Sequence, residues 1–227
     1  MDWIKFCFLS LFLLCQKTVL AQEYAESYPE ECHGTLAFWT SHKTEFEEAA
    51  ARAGVSPRFM FAIVAPEISQ FASLVDKAQT YALKVLYVQQ GKAYANFSIG
   101  LFQMKPSFVE QLEAYVRADK ELAGEYPDVL LPADSKEVRI KRVERLETQD
   151  WQMAYLMLFC RVISLRFGDV SFATEEEKLR FYANAYNRGF LLDEKQLRQA
   201  GGAYFPFFAI RKFRYADVAL WFYRHAL

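Results

Sequence analysis

The segment SPRFMFAIVAPEIS, from Ser56 to Ser69, joins a helix start to an apolar run that leads to an acidic residue. Ser56 before Pro57 is a typical N-cap followed by proline at the first helical position. The apolar residues from Phe59 to Val64 predict a buried helix. Because an apolar environment disfavours a charged carboxylate, Glu67 has the setting of a general acid. A glutamate that ends a helix is also commonly a solvated or capping residue, so this segment alone does not define a function.

Apolar residues recur at helical spacing along the rest of the chain, and no convincing run of alternating strand residues is present. Thr174, followed by three glutamates, predicts a helix start, because its hydroxyl satisfies free amides and the acids face the positive helix end. The stretch 118–135 contains a glycine and two prolines and predicts a loop. The sequence therefore predicts an all-α protein. Its predicted helices cover residues 43–53, 57–67, 76–90, 106–116, 137–167 as one or two helices, 174–187 and 215–225.

The composition is that of a globular protein without a strong charge bias. A length of 227 residues fits one domain, and 53% hydrophobic residues are enough to form a core. The 27 basic and 28 acidic residues nearly cancel, so no broad positive surface for nucleic acid or anionic lipid is expected.

The N-terminal residues are typical of a secretory signal peptide. Lys5 precedes an apolar run over residues 6–14, and small residues lie before a predicted cleavage after Ala21. An uncleaved membrane anchor and a lipoprotein are the alternatives. Lys17 interrupts the apolar stretch, which is short for a membrane span, and the residue before Cys15 is bulky for a lipoprotein. A periplasmic or secreted location is therefore expected.

The exported chain is predicted to consist of a polar lead-in segment, residues 22–42, and a single domain, residues 43–227. Cys32 and Cys160 remain after cleavage, and two interpretations stay open. They form a disulfide in an oxidising compartment, or Cys160 is a small buried side chain in an apolar helix. Three scattered histidines give no metal-ligand spacing, so neither a metal nor another cofactor is expected.

Three segments occur in a characteristic order: PEIS at residues 66–69, SIGLFQMKPS at 98–107, and AYNRG at 185–189. Together they resemble the superfamily of lytic transglycosylases and goose-type lysozymes, which shows a Glu-Ser at a helix end, a Gly-Leu-Met-Gln motif leading to a proline, and Ala-Tyr-Asn-x-Gly. Taken singly, the second segment is also typical of a tight loop and the third of a helix C-terminus.

The resemblance implies a lysozyme-like helical domain with a substrate cleft, in which Glu67 is the catalytic acid/base. The activity implied is cleavage of the β-1,4 bond between N-acetylmuramic acid and N-acetylglucosamine in peptidoglycan. The amide and hydroxyl groups of the motif side chains can form hydrogen bonds with the hydroxyl and N-acetyl groups of a sugar. The residues implied in substrate binding are Ser98, Gly100, Gln103, Tyr186 and Asn187.

Glycosidases usually pair two carboxylates, but Ser98 stands where animal-type lysozymes have an aspartate. One carboxylate fits a transglycosylase, whose substrate closes its own 1,6-anhydro ring. A hydrolytic muramidase is the first alternative and would need a second acid such as Asp76. An inactive wall-binding or assembly protein is the second, because Pro66 and Ile68 depart from the family pattern and residues 76–90 are an insertion. Wall turnover, a secretion apparatus or a conjugation apparatus would each use such a protein.

Overall fold

The structure is a computed structural model that describes residues 23–71, 77–199, 204–206 and 212–227. Within these ranges the chain is predominantly helical, which confirms the all-α prediction. The only paired strands in the described part form a short antiparallel hairpin of β1 (Tyr204–Phe205) and β2 (Phe213–Arg214). Residues 23–27 are also helical. The remaining helices are α1 (Pro29–Ser41), α2 (Lys43–Ala53), α3 (Pro57–Gln70), α4 (Lys77–Gln90), α5 (Pro106–Ala118), α6 (Lys120–Glu125), α7 (Lys136–Leu146), α8 (Gln149–Arg166), α9 (Glu175–Arg188), α10 (Glu194–Arg198) and α11 (Tyr215–His225).

The chain forms two compact units, and neither is continuous in sequence. The first unit consists of the residues up to Ser41, Phe61–Ser69 and Phe172–Leu227. The second consists of His42–Met60 and Gln70–Ser171. The predicted signal peptide lies outside the described residues, and the predicted single domain over 43–227 stays a prediction.

The first unit is built on the packing of α9 against α11, with an aromatic core around Tyr24. Phe213 and Phe222 meet the Tyr24 ring edge-on, at centroid distances of 5.3 and 6.4 Å. Trp39 packs on Phe61 at 5.0 Å. Tyr24 and Trp39 belong to the segment predicted as a lead-in, which is therefore helical and contributes to the core.

The second unit contains α2, α4, α5, α6, α7 and α8. Helix α8 packs against α2, α5 and α7, and α4 packs against α7. A buried ion pair joins Arg142 of α7 to Glu113 of α5, with an Nη2–Oε2 distance of 2.7 Å.

One prediction about element boundaries was wrong, and another was left open between one helix and two. The predicted loop at 118–135 contains α6 and a 3-10 turn at Pro127–Val129. The Asp119 carboxylate accepts hydrogen bonds from the Glu121 and Leu122 amides, and Leu122 is buried, so a cap and an apolar anchor stabilise α6 despite its glycine. The pattern over 137–167 forms two helices, α7 and α8, which are separated at Glu147 and Thr148.

Cys32 and Cys160 are both buried thiols and are not joined as a disulfide. Cys160 has no exposed surface in the apolar helix α8, as expected for a small buried side chain. Burial raises the pKa of the Cys32 thiol to about 12, with the charge of Glu31 as a smaller cause. Cys32 is therefore protonated at neutral pH and is a poor nucleophile there.

Candidate functional site

Glu67 lies in the last turn of α3, in the first unit. The five side chains from Phe61 to Ala65 are completely buried, whereas Glu67 is only partly buried. The predicted apolar run therefore lies in the core and delivers a carboxyl group that solvent reaches. The helix continues through Pro66 to Gln70, so Glu67 is helical rather than part of a loop.

Tyr215, the first residue of α11, connects this helix to the third motif. Its side chain is completely buried and its hydroxyl donates to the Ile63 carbonyl at 2.8 Å. Burial raises the pKa of Tyr215 well above its usual value, and the acidic groups of Glu67, Tyr186 and Tyr24 raise it further. Tyr215 thus stays neutral, with Glu67 and Tyr186 close enough to act on it electrostatically.

Tyr186 and Asn187 are adjacent near the end of α9 but have different environments. The Tyr186 side chain is 8% exposed, whereas Asn187 is exposed to solvent. Gly189 follows the helix with a φ of 109°, in a region that favours glycine. Of the predicted site residues, the structure thus brings Tyr186 together with Glu67 around Tyr215. We call these three residues the Glu67 cluster.

Ser69, the serine nearest to Glu67 in the sequence, is buried and bonded within the first unit. Its hydroxyl donates to the Pro66 carbonyl at 2.7 Å and lies 2.6 Å from the Tyr24 hydroxyl. The bond to Pro66 closes the last turn of α3, so Ser69 supports the helix end that carries Glu67.

The second motif forms a tight turn in the second unit. The backbone amides and carbonyls of Ile99 and Met104 are paired across it, at 2.9 and 3.1 Å. The Gln103 side-chain amide donates to the Gly100 carbonyl at 2.7 Å, and Gln103 has a φ of 50°. Ser98, Gly100 and Gln103 are each partly exposed. The turn precedes α5, which begins at Pro106, so its backbone is the tight loop that this segment taken singly also indicates.

A buried glutamine explains why glycine occupies position 100. Gly100 has a φ of 71°, and a Cβ there would lie 1.5 Å from Nε2 of Gln152 and 2.5 Å from the Leu146 carbonyl oxygen. Gln152 accepts a hydrogen bond from the Phe102 amide at 2.6 Å and donates to that same carbonyl at 2.5 Å. Glycine is thus required for internal packing, and its approach to a sugar stays a prediction.

Sequence reasoning missed Tyr215 and Gln152. Tyr215 stands in a segment rich in aromatic residues, and nothing in its spacing distinguishes it from a core residue. Gln152 carried a signal, because a polar residue inside the apolar pattern of α8 must find partners when it is buried.

No group of three or more His, Cys, Asp or Glu side chains in the described ranges is arranged to hold a metal ion. Asp76, the candidate second carboxylate, lies outside these ranges. Among the helices that the structure describes, none is long and apolar enough to cross a membrane.

The fold and the cluster define an all-α protein with a partly exposed glutamate beside two buried tyrosines. Comparison with known proteins finds no matching family model, no matching curated protein and no matching solved structure.

Proposed function

We propose that this protein is an exported peptidoglycan lytic transglycosylase with Glu67 as its acid/base. One observation carries the proposal: the Tyr215 hydroxyl binds the Ile63 carbonyl, one helical turn before Glu67, and α11 packs against α9, which carries Tyr186. The first and third motifs are far apart in sequence, so their placement on either side of Tyr215 is not a consequence of chain proximity. A positioned carboxyl group is a side chain that can transfer a proton to a glycosidic oxygen.

In the reaction that we propose, Glu67 first acts as an acid. It gives its proton to the bridging oxygen while the bond from that oxygen to C1 of N-acetylmuramic acid breaks. The carbonyl oxygen of the substrate's own N-acetyl group forms the new bond to C1. Glu67, now a carboxylate, then removes the proton of the 6-hydroxyl. That oxygen replaces the acetyl oxygen at C1, which closes the 1,6-anhydro ring and returns the proton to Glu67.

The bonding of Tyr215 supports the first step. Its single proton is committed to the Ile63 carbonyl, so a neighbouring group meets only its oxygen lone pairs. A carboxylic acid can donate to such a lone pair, so we assign Tyr215 as a positioning residue for Glu67.

The proposal is tested by digestion of purified cell wall with the native protein and with Glu67→Gln. The glutamine keeps the size of the side chain but removes its titratable proton, so lysis should fall at least about 100-fold, the usual contribution of a general acid. Glu47→Gln, at an exposed position of α2, is the matched control and should lyse wall normally.

The products distinguish the alternatives. Mass spectrometry should find 1,6-anhydro-muropeptides from the native protein, whereas reducing ends would mean hydrolysis. Equal lysis by native protein and Glu67→Gln would remove Glu67 from the mechanism. Wall binding without any lysis by the native protein would show a binding protein instead of an enzyme.

A further inference from the structure

Arg188 is the last residue of α9 and directly follows Asn187, the exposed residue of the third motif. Its Nη1 donates to the Gln196 carbonyl of α10 at 2.8 Å. One turn earlier on α9, the buried Asn184 donates to the next carbonyl, that of Leu197, at 3.0 Å. These two bonds join α9 to α10, so the guanidinium is held by its own bond to the backbone although Arg188 is exposed.

The anchored guanidinium has more donors than this one bond uses. Arginine carries five N–H groups in a planar fork, and the bond from Nη1 leaves the edge formed by Nε and Nη2 unused. Three other arginines of the first unit, Arg180, Arg198 and Arg224, are each paired with a carboxylate. No carboxylate in the part of the chain that the structure describes pairs with Arg188 in this way. Arg188 therefore presents an oriented positive charge to solvent.

We propose that Arg188 binds a carboxylate carried by the N-acetylmuramic acid of the substrate, either in its peptide stem or in its lactyl group. This inference rests on the proposed function, because it concerns the same substrate. N-acetylmuramic acid differs from N-acetylglucosamine by the lactyl group, which ends in a carboxylate or in the peptide stem, whereas N-acetylglucosamine is neutral. The edge of a guanidinium matches a carboxylate with two parallel hydrogen bonds, so Arg188 is suited to distinguish the two sugars.

The position of Arg188 fits a substituent of the sugar better than the glycosidic bond itself. Residues 186 and 188 are about 200° apart around the helix, so Arg188 does not share the face that carries Tyr186 of the Glu67 cluster. A peptide stem extends away from the glycan strand, and its carboxylates therefore lie away from the bond that Glu67 would break. We assign Arg188 to substrate specificity and not to bond cleavage.

Binding of a disaccharide–peptide fragment of peptidoglycan, N-acetylglucosaminyl-N-acetylmuramic acid with its stem, tests the proposal. A second sample of the same fragment has its carboxylates converted to amides. The native protein should bind the carboxylate form at least about tenfold more tightly, the usual effect of a hydrogen bond to a charged group. Added salt should reduce this preference, because it screens exposed charges. Arg188→Gln should bind both forms with the affinity that the native protein has for the amide form.

Arg117→Gln is the matched control, because Arg117 is also exposed and donates to a backbone carbonyl, that of Leu131, at 2.5 Å in the second unit. This variant should keep the preference for the carboxylate form. A native protein without that preference would overturn the proposal, and so would an Arg188→Gln variant that keeps it. Equal weakening of both forms by Arg188→Gln would also overturn it, since Arg188 would then only support α10.

The disaccharide without its peptide identifies the source of the carboxylate, because it keeps only that of the lactyl group. Binding of this disaccharide that depends on Arg188 assigns the lactyl group, and binding that depends on Arg188 only when the peptide is present assigns the stem. None of these fragments contains a bond from N-acetylmuramic acid to N-acetylglucosamine, so binding is measured without cleavage. A failure of this test is therefore distinguishable from a failure of the lysis test on Glu67→Gln.

Discussion

At the scale of single residues, Gly100 of the second motif and Tyr215, which lies in no motif, show how distant contacts impose a structural requirement on one position. Gly100 is held at a positive φ against the Gln152 amide, and Tyr215 is held in the core by the Ile63 carbonyl. Both requirements come from atoms distant in sequence. A substitution at either position therefore tests the tertiary structure.

We expect Gly100→Ala to lower the free energy of unfolding by about 2–3 kcal/mol, because a side chain at this φ is strained and collides with Gln152 and the Leu146 carbonyl. Denaturant unfolding measures the change. Gly124→Ala is the matched control: it lies in α6, with no atom within 4 Å of an added Cβ. Alanine there should be neutral or stabilise the protein by up to about 1 kcal/mol. Equal effects at the two positions would contradict the packing of Gly100.

Tyr215→Phe should cost about 1–2 kcal/mol at neutral pH, because the Ile63 carbonyl loses its donor in the core. The substitution should also change how the free energy of unfolding depends on pH in the alkaline range. Since the pKa of Tyr215 is raised in the folded state, its stabilising effect is complete below pH 10.0, the ordinary tyrosine pKa, and is lost as the pH rises above it.

Unfolding at pH 8 and pH 11 measures that response, and we expect the phenylalanine variant to lose less stability than the native protein over this interval. Tyr94→Phe is the control, because Tyr94 is 66% exposed. If Tyr215→Phe and the native protein lost the same stability on going to high pH, Tyr215 would not be the buried neutral group described here.

At the scale of elements, local signals located the helices more reliably than the loops. The predicted start at Thr174 is confirmed, since its hydroxyl accepts from the Glu177 amide at 3.1 Å. The predicted helix over 76–90 corresponds to α4, which the structure describes from Lys77 to Gln90. The prediction of a loop at 118–135 was wrong, because glycine and proline were weighed without the cap that Asp119 provides.

Thr174→Ala should cost about 1 kcal/mol, the usual value of an N-cap hydrogen bond, because the Glu177 amide loses its acceptor. Thermal unfolding checks this value. Thr148 provides the comparison, because it is the N-cap of α8 but its side chain makes no capping bond. Thr148→Ala should therefore cost less than Thr174→Ala, and the reverse order would contradict the assignment of the cap.

At the scale of the whole molecule, the second unit is held together by a buried polar network. Arg142 donates to Glu113 and, at 2.9 Å, to the hydroxyl of Tyr87, while Tyr155 lies 3.3 Å from Glu113. These residues come from α7, α5, α4 and α8 and are all buried. Burial lowers the pKa of Arg142, but the hydrogen bonds and charges of Glu113 and Tyr87 together outweigh that effect and raise it. Arg142 thus remains a cation.

Glu113→Leu should cost about 3–5 kcal/mol, because it leaves the buried Arg142 cation with only its longer ion pair to Glu110, at 3.6 Å. The double variant Glu113→Leu with Arg142→Leu should be more stable than the single variant, since the buried cation is removed together with its partner. Glu125→Leu is the control: its pair with Arg161 spans 3.7 Å at a side chain that is 42% exposed, and its loss should cost less than about 1 kcal/mol. Denaturant unfolding of the four proteins measures these differences, and a double variant less stable than the single one would contradict the argument.

The sequence by itself determined the helical class, most helix positions and the cap at Thr174, because helix periodicity and capping depend on residues within a few positions of one another. Only the tertiary structure decided which distant residues meet. It joined Tyr215 to the helix that carries Glu67, set Gln152 against Gly100 and divided the chain into two discontinuous units. Such contacts depend on how helix faces pack against one another. The sequence determines which face of each helix is apolar, but it does not determine which other helix packs on that face.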